Sequence, residues 1–200
     1  MLRIGLTGGI GTGKSLVSQF LEEQGAIVVN ADLLGHQAYL PGTRGFDQVV
    51  AAFGEDIVAG DGHVDRKKLG PIVFADPKQM ERLNGIMHPI IKSLIEARLD
   101  EIAREDESVS VVEAAVLIEA GWRPIFDEIW VVTSRVDEIV SRLQSRNGMT
   151  SEDVQRRIDS QMSSIDRISQ GDIVLDNSGT VEELKNKVSN LWRERVNQFK

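Results

Sequence analysis

The sequence predicts an α/β fold in which helices flank a five-stranded parallel sheet. Two observations predict it: five short apolar runs alternate with helical segments, and a glycine-rich loop follows the first run. Parallel strands are buried on both faces, so they read as uninterrupted apolar runs rather than as alternating ones. The five predicted strands are residues 2–6, 26–29, 109–112, 129–132 and 173–175.

Composition and charge narrow the classes of function. The 200 residues are 41% hydrophobic, which is enough for the core of one globular unit. A formal charge of -8 gives no overall attraction to nucleic acid or to an anionic membrane, and no apolar run is long enough to span a bilayer. The chain has no cysteine, which excludes disulfides and thiolate metal sites. We expect a cytoplasmic protein, a monomer or weak homo-oligomer, that binds neither nucleic acid nor a membrane.

The loop after the first strand has the spacing of a phosphate-binding loop. It reads Gly8-x-x-x-x-Gly13-Lys14-Ser15 between a predicted strand and a predicted helix, as the P-loop (Walker A) pattern requires. Glycines let the backbone N–H groups converge on a phosphate, Lys14 adds a full positive charge, and the Ser15 hydroxyl can bind Mg²⁺. The sequence therefore predicts a P-loop NTPase fold. The expected nucleotide-binding residues are Gly9, Gly11, Thr12, Gly13, Lys14, Ser15 and Leu16.

A carboxylate, Asp32, follows the second predicted strand. We expect this strand to neighbour the P-loop strand, and ligands of open α/β sheets bind at the carboxyl ends of the strands. Asp32 is therefore a candidate to align an acceptor hydroxyl with the γ-phosphate, a task that needs little basicity when the transition state is loose. The alternative is that Asp32 caps a helix that begins at Leu33.

Asp32 also begins the pattern of a GTPase switch, since residues 32–35 read Asp-Leu-Leu-Gly. Two features argue against that class. Asp32 comes only seventeen residues after Ser15, and no Asn-Lys-x-Asp motif follows to bind guanine. A phosphotransferase is the favoured class, and a nucleotide-switched binding module is the alternative.

Arginines are concentrated in one late segment of the chain. Residues 135–167 contain six arginines and no lysine, and arginine is the residue suited to bidentate phosphate contact. Arg142 and Arg146 are four residues apart, on one face of a predicted helix. We interpret residues 136–167 as a helical lid over the triphosphate. Ion pairs such as Glu138 with Arg142 are the alternative explanation of the same pattern.

The remaining segments predict how the chain is organised. Residues 35–107 are helical in pattern and are broken by glycine and proline, which is typical of an insertion rather than of sheet crossovers. We expect a single domain over residues 1–200 that contains this insertion. The nucleotide core is expected over about 1–34, 108–135 and 168–200.

Two further residues have open interpretations. Glu113 ends the third predicted strand, where a carboxylate can hold Mg²⁺ through water or can be a solvated strand end. His88 precedes Pro89 among apolar residues, and a structural role is the simpler interpretation of a lone histidine there.

Several motifs together resemble the dephospho-coenzyme A kinase family. The similarity runs nearly end to end and is far more specific than the P-loop alone. It implies transfer of the γ-phosphoryl group of ATP to the ribose 3′-hydroxyl of dephospho-CoA, the last step of coenzyme A synthesis, with Mg²⁺. The motifs are segments 5–15, 53–54, 65–69, 73–74, 88–89, 117–121, 142–146, 157–161 and 176–179, with Asp32 after the second strand.

The resemblance implies that the insertion over residues 35–107 is the substrate side, and it also implies roles for individual residues. Asp32 falls where the family keeps its catalytic base, Arg142 where it keeps a lid arginine at the phosphates, and Asn177 where the adenine end of ATP is approached. The expected catalytic set is Asp32, Lys14 and Arg142. The further contacts implied are Arg146 to the nucleotide, and His88 and Glu119 to the substrate.

The chain departs from the family pattern at two places. Asn30 stands where many members have the first aspartate of an Asp-Ala-Asp motif, although Asp32 keeps the second. Glu113 begins a segment that lacks the proline of many members, which puts the shape of that loop in question but not the carboxylate at the strand end.

Overall fold

The computed structural model describes residues 1–104 and 109–196. The chain divides into two compact units, one formed by Met1–Asn30 with Leu99–Lys200 and the other by Ala31–Arg98. The first unit contains the sheet, and the second is helical. No helix in the described ranges is both long and apolar enough to cross a membrane.

Five strands form the sheet of the first unit. They are β1 (Leu2–Gly8), β2 (Ile27–Asn30), β3 (Val109–Glu113), β4 (Glu128–Thr133) and β5 (Ile173–Asp176). All are parallel and lie in the order β2-β3-β1-β4-β5, which confirms the predicted sheet. The strands that follow β1 lie on both sides of it, so the loop after β1 is at a topological switch point, where open α/β sheets bind ligands.

The register brings the carboxyl ends of three strands to one level. Glu113 at the end of β3 lies opposite Leu6 of β1 and Asn30 of β2. The strand order corrects one expectation: β2, the strand before Asp32, does not neighbour the P-loop strand, because β3 lies between them. Burial gives the physical reason, since four of the five residues of β3 are buried as a central strand requires, whereas three of the four residues of β2 are only half-buried at the sheet edge.

The core of the first unit lies between the sheet and two helices, α1 (Lys14–Glu23) and α9 (Val181–Val196). Trp130 of β4 is fully buried there, and its indole N–H donates to a Glu128 carboxylate oxygen at 2.8 Å. The buried cluster comprises Leu2, Ile4, Leu6, Val17, Phe20, Leu21, Ala26, Val109, Val111, Trp130, Val132, Ile173, Leu175, Leu184 and Val188.

Three helices connect β4 to β5: α6 (Val136–Asn147), α7 (Ser151–Asp159) and α8 (Ser164–Ser169). α6 ends at Gly148, whose φ of 65° lets it form the left-handed cap of the helix. Thr150 caps α7, because its hydroxyl accepts a hydrogen bond from the Asp153 N–H at 3.1 Å. The sequence pattern predicts a break at Asn147-Gly148 and a cap at Thr150 or Ser151; the structure confirms the break and shows that Thr150 is the cap.

The second unit has its own core and consists of helices α2 (Ala31–Ala38), α3 (Arg44–Phe53), α4 (Arg66–Ala75) and most of α5 (Pro77–Arg104). The buried residues of its hydrophobic cluster are Ala38, Val49, Ile57, Leu69, Val73, Leu83 and Met87. The end of α5, from Leu99 onward, belongs to the first unit, and Leu99 and Ile102 are fully buried. The compact unit thus ends before residue 107, the end of the expected insertion.

The expectation that proline breaks this region into short helices is confirmed at Pro77, where α5 begins, and is wrong at Pro71. Pro71 and Pro89 both lie inside helices, and α5 has 28 residues. Each proline removes one backbone donor and frees one carbonyl group. Both prolines are exposed, so water can bond the freed carbonyl on the outer side of the helix.

Asp172, just before β5, joins the amino ends of two strands. Its carboxylate accepts hydrogen bonds from the Arg123 guanidinium at 2.9 and 3.0 Å and from the Ile129 backbone N–H at 2.7 Å. The bond from Arg123 is the main cause that lowers the pKa of Asp172 below its usual range; partial burial opposes it.

We expect Asp172→Asn to lower the free energy of unfolding at neutral pH by about 1 kcal/mol or less, because solvent screens this half-exposed ion pair. The pKa of Asp172 is lower in the folded chain, so the stabilisation is present above the unfolded-state pKa and is lost as pH falls through the folded-state pKa. Urea unfolding of wild type and variant at about pH 7 and about pH 3 measures this. The difference between the two proteins should be smaller at the lower pH, and an equal difference at both would contradict the account.

Candidate active site

The P-loop connects β1 to α1, and two glycines make its conformation possible. Gly11 and Gly13 have φ angles of 70° and 97°, a region that residues with a Cβ rarely adopt. Lys14 Nζ donates to the carbonyl oxygens of Gly8 and Gly9 at 2.8 and 3.2 Å, so the ammonium group lies at the β1 end of the loop. The N–H groups of the first turn of α1 and this charge together suit a phosphate.

The other predicted loop residues support this geometry. Thr12 is buried, and its hydroxyl donates to the Gly9 carbonyl at 2.9 Å. The Leu16 N–H bonds the Gly13 carbonyl at 3.1 Å, and the Leu16 side chain packs at the edge of the core. Leu16 is therefore bonded within its own helix turn, whereas Ser15 presents its hydroxyl at the start of α1.

Asn177, directly after β5, is only 4% exposed and joins three parts of the site. Its side-chain amide donates to the Thr12 carbonyl oxygen at 2.8 Å, inside the P-loop. Its backbone N–H donates to the Thr133 carbonyl at 2.8 Å, and its backbone carbonyl accepts from Arg142 at 2.7 Å. The fit is close, because a Cβ on Gly13 would overlap the amide nitrogen of Asn177.

Arg142 is anchored mainly to the strand ends rather than to a carboxylate. Its guanidinium donates to the Asn177 carbonyl at 2.7 Å and to the Ser134 hydroxyl at 3.2 Å, while Glu138 is 3.9 Å away. The ion-pair alternative therefore accounts for little of its position. Arg146, one turn further along α6, is exposed in the last turn of that helix.

Helix α6 packs directly on the P-loop. Its buried residues Ile139 and Leu143 form a cluster with Val154 of α7, and Ile10 of the loop packs against that cluster. A Cβ on Gly11 would lie 2.9 Å from a methyl group of Ile139. The loop is thus held between the end of β5 on one side and α6 on the other.

A pair of hydroxyls and a carboxylate form an oxygen-rich group beside the loop. The Ser15 hydroxyl donates to one carboxylate oxygen of Glu113 at 2.9 Å, and the Ser18 hydroxyl donates to the other at 2.9 Å. Hydroxyl and carboxylate oxygens are ligands that Mg²⁺ prefers. No cluster of three or more His, Cys, Asp or Glu able to hold a metal occurs in the described ranges, so any Mg²⁺ here would take its other ligands from water and phosphate.

Residues after α7 also lie close to the loop. The Gln161 side-chain oxygen accepts from the Ile10 N–H at 2.9 Å. Arg167 of α8 is buried and donates to a Glu119 carboxylate oxygen at 2.7 Å. Glu119, expected on the substrate side, is thus engaged by an arginine of the same unit.

Two of the expected site residues belong to the second unit. Asp32 is exposed in the first turn of α2, which begins at Ala31, so it is a helix residue rather than the cap that precedes one. A carboxylate in the first turn is favourable beside the positive end of the helix dipole. His88 is half-buried in the middle of α5, just before Pro89.

Sequence reasoning missed the roles of Ser18, Gln161 and Arg167. Ser18 is one helical turn after Ser15, and this spacing was the available signal that the two hydroxyls share a helix face. Gln161 lies in a motif of the resemblance that implies no role for it, and Arg167 is one of six arginines in residues 135–167 whose pattern ion pairing could also explain. Neither contact with the loop could be read from the chain, because both depend on how α8 and the end of α7 pack.

A loop of this conformation can hold the β- and γ-phosphates of a nucleotide and leave the γ-phosphoryl group open to an acceptor. The fold and site therefore define a P-loop kinase class. The family model for dephospho-CoA kinase matches residues 2–183. A dephospho-CoA kinase from Geobacter sulfurreducens is 45% identical over 192 residues, which cover 96% of this chain and 98% of the relative. The chain belongs to the dephospho-CoA kinase family.

Solved structures agree with the fold. A crystal structure of a protein from Thermus thermophilus has a TM-score of 0.81 to this chain at 29% identity, and the match covers 97% of both chains. Dephospho-CoA kinase from Campylobacter jejuni has a TM-score of 0.73 at 20% identity, with 98% of both chains covered, and supports the fold.

We expect Gly13→Ala to weaken ATP binding at least about 10-fold, because a Cβ is strained at this φ and would displace the Asn177 amide from the loop. Gly25→Ala is the matched control, since Gly25 has a φ of 103° but nothing within 4 Å of the added Cβ. Calorimetric titration with ATP, together with the melting temperature, separates the two effects. The control should lose stability and keep its ATP affinity; equal losses of affinity in both variants would contradict the account.

Proposed function

We propose that this chain transfers the γ-phosphoryl group of ATP to the ribose 3′-hydroxyl of dephospho-CoA and releases CoA and ADP, the last step of coenzyme A synthesis. The observation that carries the proposal is the family match over residues 2–183, which includes the P-loop with its ordered Lys14 and Ser15. A nucleotide-switched binding module is the competing function. It is disfavoured because no guanine-binding motif follows the loop.

The transfer requires one bond to form and one to break. The acceptor oxygen bonds the γ-phosphorus, the bond from that phosphorus to the β,γ-bridging oxygen breaks, and ADP leaves with the electron pair. We assign Asp32 to align the acceptor hydroxyl and to accept its proton, which then passes to solvent. Support comes from its position two residues after β2 and from the match to the family motif, in which the second aspartate is kept.

We assign the neutralisation of phosphate charge to two cationic residues of the first unit. Lys14 would neutralise the phosphates from the β1 end of the loop, and Arg142 would do so from α6, where Asn177 and Ser134 hold it. Arg146 is assigned to the nucleotide from the exposed last turn of α6. Asn177 is assigned to the loop beneath the nucleotide, because its amide is committed to the Thr12 carbonyl.

We assign Mg²⁺ binding to the Ser15 hydroxyl. Glu113, which accepts a hydrogen bond from that hydroxyl, is assigned to support the ion. The ion, when bound, neutralises charge on the β- and γ-phosphates. Ser18 fixes the second oxygen of Glu113 at 2.9 Å, so the carboxylate is held toward Ser15. His88 is assigned to the substrate side on the family resemblance alone.

The setting of the enzyme is also inferred. The absence of cysteine and the charge of -8 favour a cytoplasmic enzyme that binds neither nucleic acid nor an anionic membrane. We infer a monomer or a weak homo-oligomer.

An ADP-release assay with a panel of acceptors tests the function. The proposal expects release that depends on dephospho-CoA and on Mg²⁺. Release with another nucleotide or small alcohol instead would favour a different P-loop kinase, and no release with any acceptor would favour the binding module.

We expect Asp32→Asn to lower kcat at least about 100-fold and to leave the Kd for ATP within a factor of about two, because the carboxylate acts on the acceptor and not on the nucleotide. Asp47→Asn is the matched control, since it removes a carboxylate from the first turn of another helix of the same unit. Steady-state kinetics and ATP titration measure both. Wild-type turnover in Asp32→Asn would contradict the proposal that Asp32 aligns the acceptor hydroxyl.

We expect Glu113→Gln to raise the Mg²⁺ concentration that gives half-maximal activity about 10-fold, because loss of a supporting carboxylate typically weakens metal sites by about 10- to 100-fold. Glu182→Gln, which removes a charge from the first turn of α9, should leave the Mg²⁺ dependence unchanged. Titration of activity with Mg²⁺ at saturating ATP gives the result. An unchanged Mg²⁺ dependence in Glu113→Gln would rule out its support of the ion.

A further inference from the structure

Arg167 differs from the other arginines of its segment because its side chain is buried. Only 4% of that side chain is exposed, against 77% for Arg156 of α7. Arginine is rarely buried unless it is paired, because removal of a charge from water costs several kcal/mol. The burial of Arg167 therefore needs an explanation from its surroundings.

Only some of the hydrogen-bond donors of this guanidinium have partners in those surroundings. Among the described residues, Glu119 alone accepts a hydrogen bond from Arg167, from Nη2 at 2.7 Å. Nε is buried and has no partner among the described residues. An ion pair that served packing alone would leave this donor unbonded, at a cost of about 1–3 kcal/mol for a buried group.

The guanidinium also lies against the P-loop. Its Nη1 is 3.5 Å from the position that a Cβ on Gly9 would take. Lys14 Nζ bonds the Gly9 carbonyl at 3.2 Å, so two cations lie at the same end of the loop. That end is where a P-loop lysine reaches the β- and γ-phosphates.

We propose that Arg167 is a second phosphate-binding cation of the transfer site, aimed by Glu119, and that it contacts the γ-phosphoryl oxygens beside Gly9. Guanidinium donors match phosphate oxygens in geometry and keep their charge at every physiological pH. Glu119 is the positioning residue, since it fixes Nη2 and leaves Nη1 toward the loop. This inference rests on the proposed kinase activity for its catalytic consequence, but not for its effect on nucleotide binding.

Comparison of triphosphate with diphosphate affinity tests the assignment. We expect Arg167→Met to weaken binding of the β,γ-imido analogue of ATP about 10-fold or more and to leave ADP affinity within a factor of about two, because only the triphosphate carries the contacted group. A packing residue would alter both affinities alike. Calorimetric titration without any acceptor gives the ratio, so the result does not depend on which hydroxyl is phosphorylated.

Three further variants make the test specific. Arg123→Met removes a half-exposed arginine that pairs with Asp172 and should leave the triphosphate-to-diphosphate ratio unchanged. Arg167→Lys should recover part of the activity that Arg167→Met loses, which we expect to be about 100-fold in kcat. Glu119→Gln should shift the ratio in the same direction as Arg167→Met, and the double variant should be no worse than Arg167→Met alone.

The outcomes decide the proposal clearly. A shifted ratio in Arg167→Met and Glu119→Gln, with the control unchanged, supports it. Equal loss of both affinities, or no change in either, overturns it. If Arg167→Met does not fold, Arg167→Lys and Glu119→Gln give the ratio instead.

Discussion

The hydrogen bond from the Asn177 side chain to the Thr12 carbonyl is the interaction on which the rest of the site depends. A P-loop must point its N–H groups at the phosphates, so its carbonyl groups need partners elsewhere. At Thr12 the partner is a buried amide supplied from the end of β5, and Gly13 has no Cβ because that amide occupies the space. The conformation of the loop is therefore set by a residue more than 150 positions away in the chain.

The same residue links the loop to the helix that carries the expected phosphate arginine. Arg142 bonds the backbone carbonyl of Asn177, and α6 packs on Ile10 of the loop through Ile139 and Leu143. The loop, the end of β5 and helix α6 thus share one set of contacts. A substitution at Asn177 should therefore change nucleotide affinity as well as the position of Arg142. A substitution at Arg167 should change mainly the binding of the γ-phosphate.

The local parts of this arrangement could be predicted from the sequence, and the long-range parts could not. The P-loop, the five strands and the cap at Thr150 follow from short patterns of glycine, apolar residues and capping side chains. The place of β2 at the sheet edge was predicted wrongly, because apolar runs do not state which strand will neighbour which. The contacts of Arg167 and Gln161 with the loop depend on tertiary packing of α8, and no local pattern encodes them.

Nucleotide titration of Asn177→Ala tests this account most directly. The variant leaves the Thr12 carbonyl without its buried donor, and we expect the affinities for ATP and ADP to fall together by about 10-fold or more. Ser178→Ala, which changes the next residue along the chain but not the loop contact, should bind both nucleotides as the wild type does. Wild-type affinity in a folded Asn177→Ala would contradict the claim that this side chain sets the conformation of the loop.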